Sequence, residues 1–131
     1  NTIVSLETDF KGPTTFFTDG SRLTTVLKNL VGNSVKYKNN SVSNPFVRVE
    51  FSNNSKTVHI RIVDNGVGIS DKDQDKVFDM FYRANDNSVG TGLGLYICKE
   101  IINKMNGKIT LKSKPKIGTE ITIILPFKQN K

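Results

Sequence analysis

Two asparagines and a lysine share one face of a predicted helix and could serve a metal ion and a phosphate. Asn29, Asn33 and Lys36 are separated by four and then three residues, so on a helix they form one stripe. Asparagine is only a moderate helix former and is more common at caps and turns. An amide oxygen suits a hard cation such as magnesium, and a lysine ammonium suits a phosphate. The plain alternative, which this stripe favours when taken alone, is the solvated side of an amphipathic helix.

A second group of residues lies in the run Asp64–Ile69, directly after a predicted strand that ends at Val63. A carboxylate at the end of a strand can accept a hydrogen bond from an exocyclic amine, and Gly66 and Gly68 would let the backbone approach a planar ring. A tight turn capped by the aspartate explains the same residues without a ligand. This run alone does not decide between the two interpretations.

A glycine-rich run, Gly90–Leu95, opens a second predicted helix. Exposed backbone amides at a helix N-terminus form an anion site, although a flexible loop that ends at a helix start explains the same run without a ligand. The run is not a Rossmann fingerprint, because residues 83–88 before it are polar rather than a strand, and no Lys-Ser or Lys-Thr pair follows it as in a Walker loop. Between the two glycine runs, Phe78 and Phe81 are interpreted as core residues, while Arg83 could reach a phosphate or lie on the surface.

The elements that position these groups are predicted from apolar periodicity. Helices are predicted over about residues 20–38, capped by Asp19 or Ser21, and over about 94–105, stopped by Asn106-Gly107; helical turns are predicted over 70–81. The predicted buried faces of the two long helices are Leu23, Val26, Leu27, Leu30, Val31 and Val35, and then Leu95, Cys98, Ile101, Ile102 and Met105. Strands are predicted over residues 2–6, 14–17, 46–52, 57–63, 108–113 and 118–126. This mixture predicts one sheet covered by helices on one face.

Length and composition favour a single globular domain over residues 1–131. The net charge of +7 attracts polyanions, but the lysines are scattered, so nucleic acid is not an expected partner. No apolar run approaches the roughly 18 residues of a membrane helix. The segment Asn1–Val4 is not a secretory leader and does not begin with Met, so we expect a fragment of a longer protein. The single cysteine, Cys98, excludes an internal disulfide.

In chain order there are four groups: the helix stripe, the Asp64–Ile69 run, the residues around Phe78, Phe81 and Arg83, and the Gly90–Leu95 run. In this order and at these intervals they resemble the N box, first G box, F box and second G box of the catalytic, ATP-binding domain of sensor histidine kinases. The resemblance covers about residues 19–126, and the superfamily includes DNA gyrase, the ninety-kilodalton heat-shock chaperone and MutL. It implies the Bergerat ATP-binding fold: an α+β, two-layer α/β sandwich with a mixed, mostly antiparallel sheet covered on one face by helices. It also implies binding of magnesium–ATP and transfer of the γ-phosphate to a histidine outside this chain.

The resemblance further implies a role for each motif residue. Asn33 would coordinate Mg²⁺, Asn29 would support the metal and the phosphates, and Lys36 would contact phosphate. Tyr37 would pack on the adenine and Asp64 would accept its amine. The implied catalytic residues are Asn29, Asn33, Lys36 and Arg83. The implied cofactor-binding residues are Asn33, Lys36, Tyr37, Asp64, Gly66, Gly68, Ile69, Phe81, Gly90, Thr91, Gly92, Leu93, Gly94 and Leu95.

Two other functions stay open, an ATPase and a module that only binds nucleotide. In the ATPase relatives a glutamate precedes the metal asparagine by one turn, whereas this chain has Asn29, and an amide is not a base. A pure binder should have lost ligands such as Asn33 and Lys36. The only histidine, His59, is predicted on a strand and is not the phosphoacceptor.

The implied partners are therefore a histidine-bearing dimerisation domain of the same protein and the receiver domain of a response regulator. We expect the fragment to be a monomer and the intact protein a homodimer. The resemblance also implies a cytoplasmic domain of a membrane-anchored protein.

Overall fold

The computed structural model describes residues 4–11, 19–54, 56–79 and 94–126. The strands within these ranges are β1 (Ser5–Lys11), β2 (Phe46–Asn53), β3 (Thr57–Asp64), β4 (Lys108–Lys114) and β5 (Gly118–Pro126). The helices within them are α1 (Gly20–Lys36), α2 (Asp71–Gln74) and α3 (Gly94–Lys104). Among the described helices, none is long and apolar enough to cross a lipid bilayer.

The strands form one mixed sheet in the order β1-β2-β3-β5-β4. β1 runs parallel to β2, and the other neighbours are antiparallel. A parallel pair needs a crossover connection, and α1 lies between β1 and β2 in the chain. The predicted mixed, mostly antiparallel sheet is confirmed.

One face of the sheet is buried under α1 and α3, and together they form a two-layer α+β sandwich. Alternate residues of a strand point to the same face, and here the buried set is aliphatic on every central strand. The core consists of Leu23, Val26, Leu30, Val47, Val49, Val58, Ile60, Ile62, Cys98, Ile102, Ile121, Ile123 and Leu125. The other face carries charged residues such as Arg48 and Arg61 together with half-buried apolar ones such as Val63 and Ile124, so the fully buried strand residues of the core lie on the helix side of the sheet.

The predicted first long helix is confirmed, with a difference at its C-terminal end. Asp19 is its N-cap, and the side chain accepts a hydrogen bond from the Arg22 N–H at 3.1 Å. The helix ends at Lys36 instead of residue 38, and Val35 is 41% exposed rather than part of the core. The buried stripe continues through Ser34, and the next residue is turned by about 100° around the axis, so Val35 faces away from the sheet.

Other predicted elements also change their bounds. The first strand starts at Ser5 and continues to Lys11, because it pairs with β2 along its whole length. Within the described residues 70–79, the predicted helical turns form the short helix α2 and the hydrogen-bonded turns that follow it. α3 ends at Lys104, where Asn106 takes a left-handed conformation with φ 61°. The predicted strand over residues 14–17 lies outside the described residues.

Candidate functional site

Asp64 is the last residue of β3, and backbone N–H groups hold one of its two carboxylate oxygens. Its Oδ1 accepts hydrogen bonds from the Gly66 N–H at 2.8 Å and the Thr119 N–H at 3.2 Å. The side chain is half-buried. Its second oxygen has no hydrogen-bond partner within the described ranges, so it keeps capacity to accept from a donor such as an amine.

The loop that follows Asp64 is tied to two other parts of the chain. The Val67 N–H donates to the Tyr37 carbonyl at 3.0 Å, and the Lys116 N–H donates to the Val67 carbonyl at 2.7 Å. Tyr37 is the C-cap of α1, and its own N–H donates to the Asn33 carbonyl at 3.0 Å. The Asp64 loop therefore lies between the last turn of α1 and the β4–β5 turn.

Glycines are required where these segments meet. A Cβ on Gly66 would lie 2.6 Å from the Tyr37 carbonyl oxygen. Gly68 has φ 75°, and its Cβ would lie 2.1 Å from the Lys114 oxygen. Gly118 has φ 146°, and a Cβ there would lie 2.0 Å from the Asp64 oxygen. No side chain fits at these contacts without moving backbone, so the two glycines of the predicted loop are needed for its own packing.

The stripe formed by Asn29, Asn33 and Lys36 runs along the side of α1 that lies between the Asp64 loop and α3. Asn29 donates from Nδ2 to the Thr25 carbonyl at 3.0 Å, and its Oδ1 lies 3.8 Å from a Cβ built on Gly94, the first residue of α3. Both asparagines are half-buried and Lys36 is exposed. The Asn33 side-chain amide has no hydrogen-bond partner in the part of the chain that the structure describes. One end of the stripe thus lies beside α3 and the other beside the Asp64 loop.

The remaining predicted site residues divide into described and undescribed ones. Tyr37 is 39% exposed, and the Lys36 Nζ lies 5.1 Å from the centroid of its ring. Leu95, in the first turn of α3, packs against the core, while the Ile69 N–H donates to the Ser113 hydroxyl at 2.8 Å. The site residues that lie outside the described residues are Phe81, Arg83, Gly90, Thr91, Gly92 and Leu93.

Three residues at this site were missed by the sequence analysis: Thr119, Ser113 and Gln74. Thr119 reaches Asp64 through its N–H, and Ser113 and Gln74 hold the backbone of Ile69. The pair Gly118-Thr119 gives a weak signal, because a glycine opens the last strand. Ser113 and Gln74 are ordinary polar residues in the sequence, and only the strand register brings them to the loop.

The described ranges contain no cluster of three or more His, Cys, Asp or Glu side chains that could hold a metal alone. Magnesium is often bound by one or two protein oxygens together with substrate phosphates and water. The unpartnered amide of Asn33 fits that kind of site, in which phosphate oxygens and water would supply the other ligands.

Two other reactive side chains lie away from this site. Cys98 is fully buried under α1, with Sγ 3.8 Å from the Val26 carbonyl oxygen, and burial raises the pKa of its thiol to about 11. His59 is half-buried on the sheet face opposite the helices, with Nε2 3.0 Å from the Thr57 hydroxyl. These surroundings make Cys98 a core residue and place His59 on a strand, as predicted.

Comparison with known proteins defines the class of protein. The sequence model of the family described as histidine kinase-, DNA gyrase B- and HSP90-like ATPase matches residues 18–129. The chain therefore belongs to this family, and its relatives place it with the ATP-binding domains of sensor histidine kinases, which have the Bergerat fold.

Among individual proteins, the chain is 36% identical over 115 residues to sensor histidine kinase WalK of Bacillus subtilis (strain 168), covering 85% of this chain and 19% of that protein. The mycobacterial sensor histidine kinase MprB has a similar structure, with a TM-score of 0.79 and 26% identity over 97% of this chain and 84% of that chain. Full-length ShkA in complex with AMPPNP gives a TM-score of 0.83 at 23% identity, over 97% of this chain and 26% of that one. The chain thus spans a small part of the WalK and ShkA chains that it matches.

Proposed function

We propose that this domain binds magnesium–ATP and transfers the γ-phosphate to a histidine on a separate dimerisation domain, as part of two-component signalling. The observation that carries the proposal is the Asp64 carboxylate, which two backbone N–H groups hold while its other oxygen is open. Membership of the family and the similarity of the fold to ShkA, which was solved in complex with AMPPNP, support it.

The residues act by positioning and by offsetting charge, which is what phosphoryl transfer requires of a protein. Asp64 would accept the exocyclic amine of adenine, with Tyr37 against the ring. Asn33 would hold magnesium, which when bound neutralises phosphate charge. Lys36 is exposed at the end of the same stripe and would contact a phosphate. Asn29 and the start of α3 would line the phosphate end of the site.

Asn29 also supports transfer over hydrolysis. Hydrolysis needs a base to deprotonate water, and the Asn29 amide is not one; its Nδ2 donates to the Thr25 carbonyl. A pure binding module remains the alternative function.

We further propose that the domain is a monomer by itself, that the intact protein is a membrane-anchored homodimer with this domain in the cytoplasm, and that a response regulator receives the phosphate.

The site assignment predicts loss of nucleotide affinity in two variants. Asp64→Asn should weaken ATP binding about 10- to 100-fold, because a hydrogen bond to a charged group contributes about 1.5–3 kcal/mol. Asn33→Ala should weaken magnesium-dependent binding similarly. Isothermal titration calorimetry with and without magnesium measures both effects. Asp75→Asn, at the exposed C-cap residue of α2, is the matched control and should bind as wild type. Unchanged affinity in both site variants would remove the assignment.

Transfer is tested with labelled ATP and a separately produced dimerisation domain of the same protein. The label should appear on the acceptor histidine only when this domain is present, and the domain alone should hydrolyse ATP slowly. Fast hydrolysis without a partner would instead support an ATPase. Tight ATP binding with neither transfer nor hydrolysis would support the pure binding module.

A further inference from the structure

Three polar residues stand side by side across three strands at the end of the sheet. Asp64 of β3 is the register partner of Thr119 of β5, and Thr119 is the register partner of Ser113 of β4. The preceding pairs on the same face are Ile62 with Ile121 and Ile121 with Leu111, which pack in the core. The polar row therefore continues the core face of the sheet, directly beside the Asp64 loop.

The Ser113 hydroxyl makes three contacts in this row. It accepts from the Ile69 N–H at 2.8 Å, lies 2.9 Å from the Gly118 carbonyl oxygen and lies 2.8 Å from the Thr119 hydroxyl. A serine hydroxyl has one hydrogen to donate and two lone pairs. All three contacts are satisfied when Ser113 donates to Gly118 and accepts from Ile69 and Thr119, so its full hydrogen-bonding capacity is used.

Gln74, on α2, hydrogen-bonds to the same group of residues. Its Nε2 donates to the Ile69 carbonyl at 2.9 Å and to the Ser113 carbonyl at 2.7 Å. The same Nε2 also lies 3.3 Å from the Asp71 Oδ1, so both hydrogens of the amide are used and one of them is shared between two acceptors. Ile69 is therefore held at its N–H by Ser113 and at its carbonyl by Gln74, and the last residue of the Asp64 loop is fixed to β4.

Thr119 connects this arrangement to the carboxylate. Its hydroxyl contacts Ser113 and its N–H donates to the Asp64 Oδ1. The same oxygen accepts from Gly66 inside the loop. Asp64 is thus oriented by one donor from the loop and one from β5, and Ser113 contacts both of these segments.

We propose that Ser113 and Gln74 are positioning residues that hold Asp64 in the orientation that distinguishes adenine from bases without an exocyclic amine. The proposal rests on the proposed function, in which Asp64 accepts that amine. Removing the hydrogen bonds of either side chain lets the Asp64 loop and the start of β5 move relative to each other. The Asp64 carboxylate then loses its alignment with the adenine amine. Contacts to the phosphates come from α1 and α3 and stay in place.

The test compares ATP with ITP, whose base carries a carbonyl oxygen instead of the amine, by calorimetry on wild type and variants. Wild type should prefer ATP about 10-fold or more, as expected for a hydrogen bond to a charged group. Ser113→Ala removes the hydroxyl, and Gln74→Glu places a carboxylate oxygen against the two carbonyl oxygens. Each variant should reduce the preference for ATP about fivefold or more, while the affinity for ITP should change less than about twofold. Ser113→Thr keeps the hydroxyl and should keep the preference.

The matched control is Asn54→Ala at the opposite end of the sheet. Asn54 Oδ1 accepts from the Lys56 and Thr57 N–H groups at 2.8 Å each, so its loss removes comparable turn contacts. This variant should melt at a lower temperature with an unchanged ATP/ITP ratio. An unchanged ratio in folded Ser113→Ala and Gln74→Glu, or an equal loss of both nucleotides, would overturn the positioning role. A wild-type domain that binds neither nucleotide would instead overturn the proposed function itself.

Discussion

Two ionisable side chains, Asp64 and Cys98, show how local surroundings decide what a residue does. Asp64 is half-buried, and its Oδ1 accepts two backbone N–H bonds. Cys98 is fully buried, and its sulfur lies only near the Val26 carbonyl oxygen, so burial raises the pKa of the thiol. The first residue keeps one oxygen that could accept from a ligand, and the second is kept neutral as part of the core.

The Cys98 thiol should make the stability of the fold fall at high pH. Its pKa is about 11 in the folded chain and about 8.5 when unfolded, so the unfolded chain loses the proton first as the pH rises. The contribution is complete below about pH 8.5 and is lost as the pH approaches about 11. By pH 10 the loss should be about 1–2 kcal/mol in the free energy of unfolding.

Urea denaturation of wild type and Cys98→Ala at pH 7.5 and pH 10 measures this term. The lysines titrate in both proteins, so their effect cancels in the difference. Wild type should lose about 1–2 kcal/mol more than the variant. Equal losses in the two proteins would contradict the role of the buried thiol.

At the scale of elements, α1 is the helix on which the candidate site depends. Its buried face packs on the sheet, its C-cap residue Tyr37 receives the Asp64 loop, and its side near Asn29 lies beside α3. Gly32 lies inside this helix, where a glycine lowers helix stability by about 1 kcal/mol relative to alanine. Among the described residues, no atom outside the helix backbone lies within 4 Å of a Cβ built at this position, so no close contact there offsets the cost.

The same substitution should therefore have opposite effects in α1 and in the Asp64 loop. Gly32→Ala should raise the free energy of unfolding by about 0.5–1 kcal/mol. Gly68→Ala should lower it by about 1–3 kcal/mol, because φ is positive and the Cβ would meet the Lys114 oxygen. Thermal unfolding followed by circular dichroism checks both signs. A stabilised Gly68→Ala would show that the loop does not need this backbone conformation.

At the scale of the whole molecule, charged pairs join the strands on the open face of the sheet. Arg61 of β3 contacts Glu50 of β2 and Glu120 of β5, and Arg48 pairs with Glu7 of β1 at 3.3 Å. Hydrogen bonding to Glu120 raises the pKa of Arg61. The network spans four strands, and it keeps polar the face that no helix covers in the described part of the chain.

Arg61→Met should destabilise the fold modestly and reduce its salt dependence. The Arg61 side chain is 42% exposed, so solvent screens the network and the loss should be about 0.5–1 kcal/mol. Arg22→Met is the control, since Arg22 pairs only with Asp19 of its own helix turn among the described residues, and it should cost less. Urea denaturation at low and high salt measures both; an Arg61→Met loss that does not shrink at high salt would exclude an ionic origin.

The sequence by itself determined the long elements and the four motifs. Helical spacing predicted α1 and α3, the residue pattern predicted the strands β2, β3, β4 and β5, and the motif order predicted the family and its fold. These signals are local, because each depends on residues within one element or one loop. The same local spacing failed at Val35, where the direction of the buried stripe depends on how the helix sits on the sheet.

Only the tertiary structure decided which residues surround Asp64. Thr119 lies 55 positions further along the chain and Ser113 lies 44 positions from Ile69, yet strand register makes them neighbours. Gln74 joins them from a four-residue helix with no distinctive pattern. Pairing between distant strands follows from the packing of the whole core, so these contacts have no counterpart in any short stretch of the sequence.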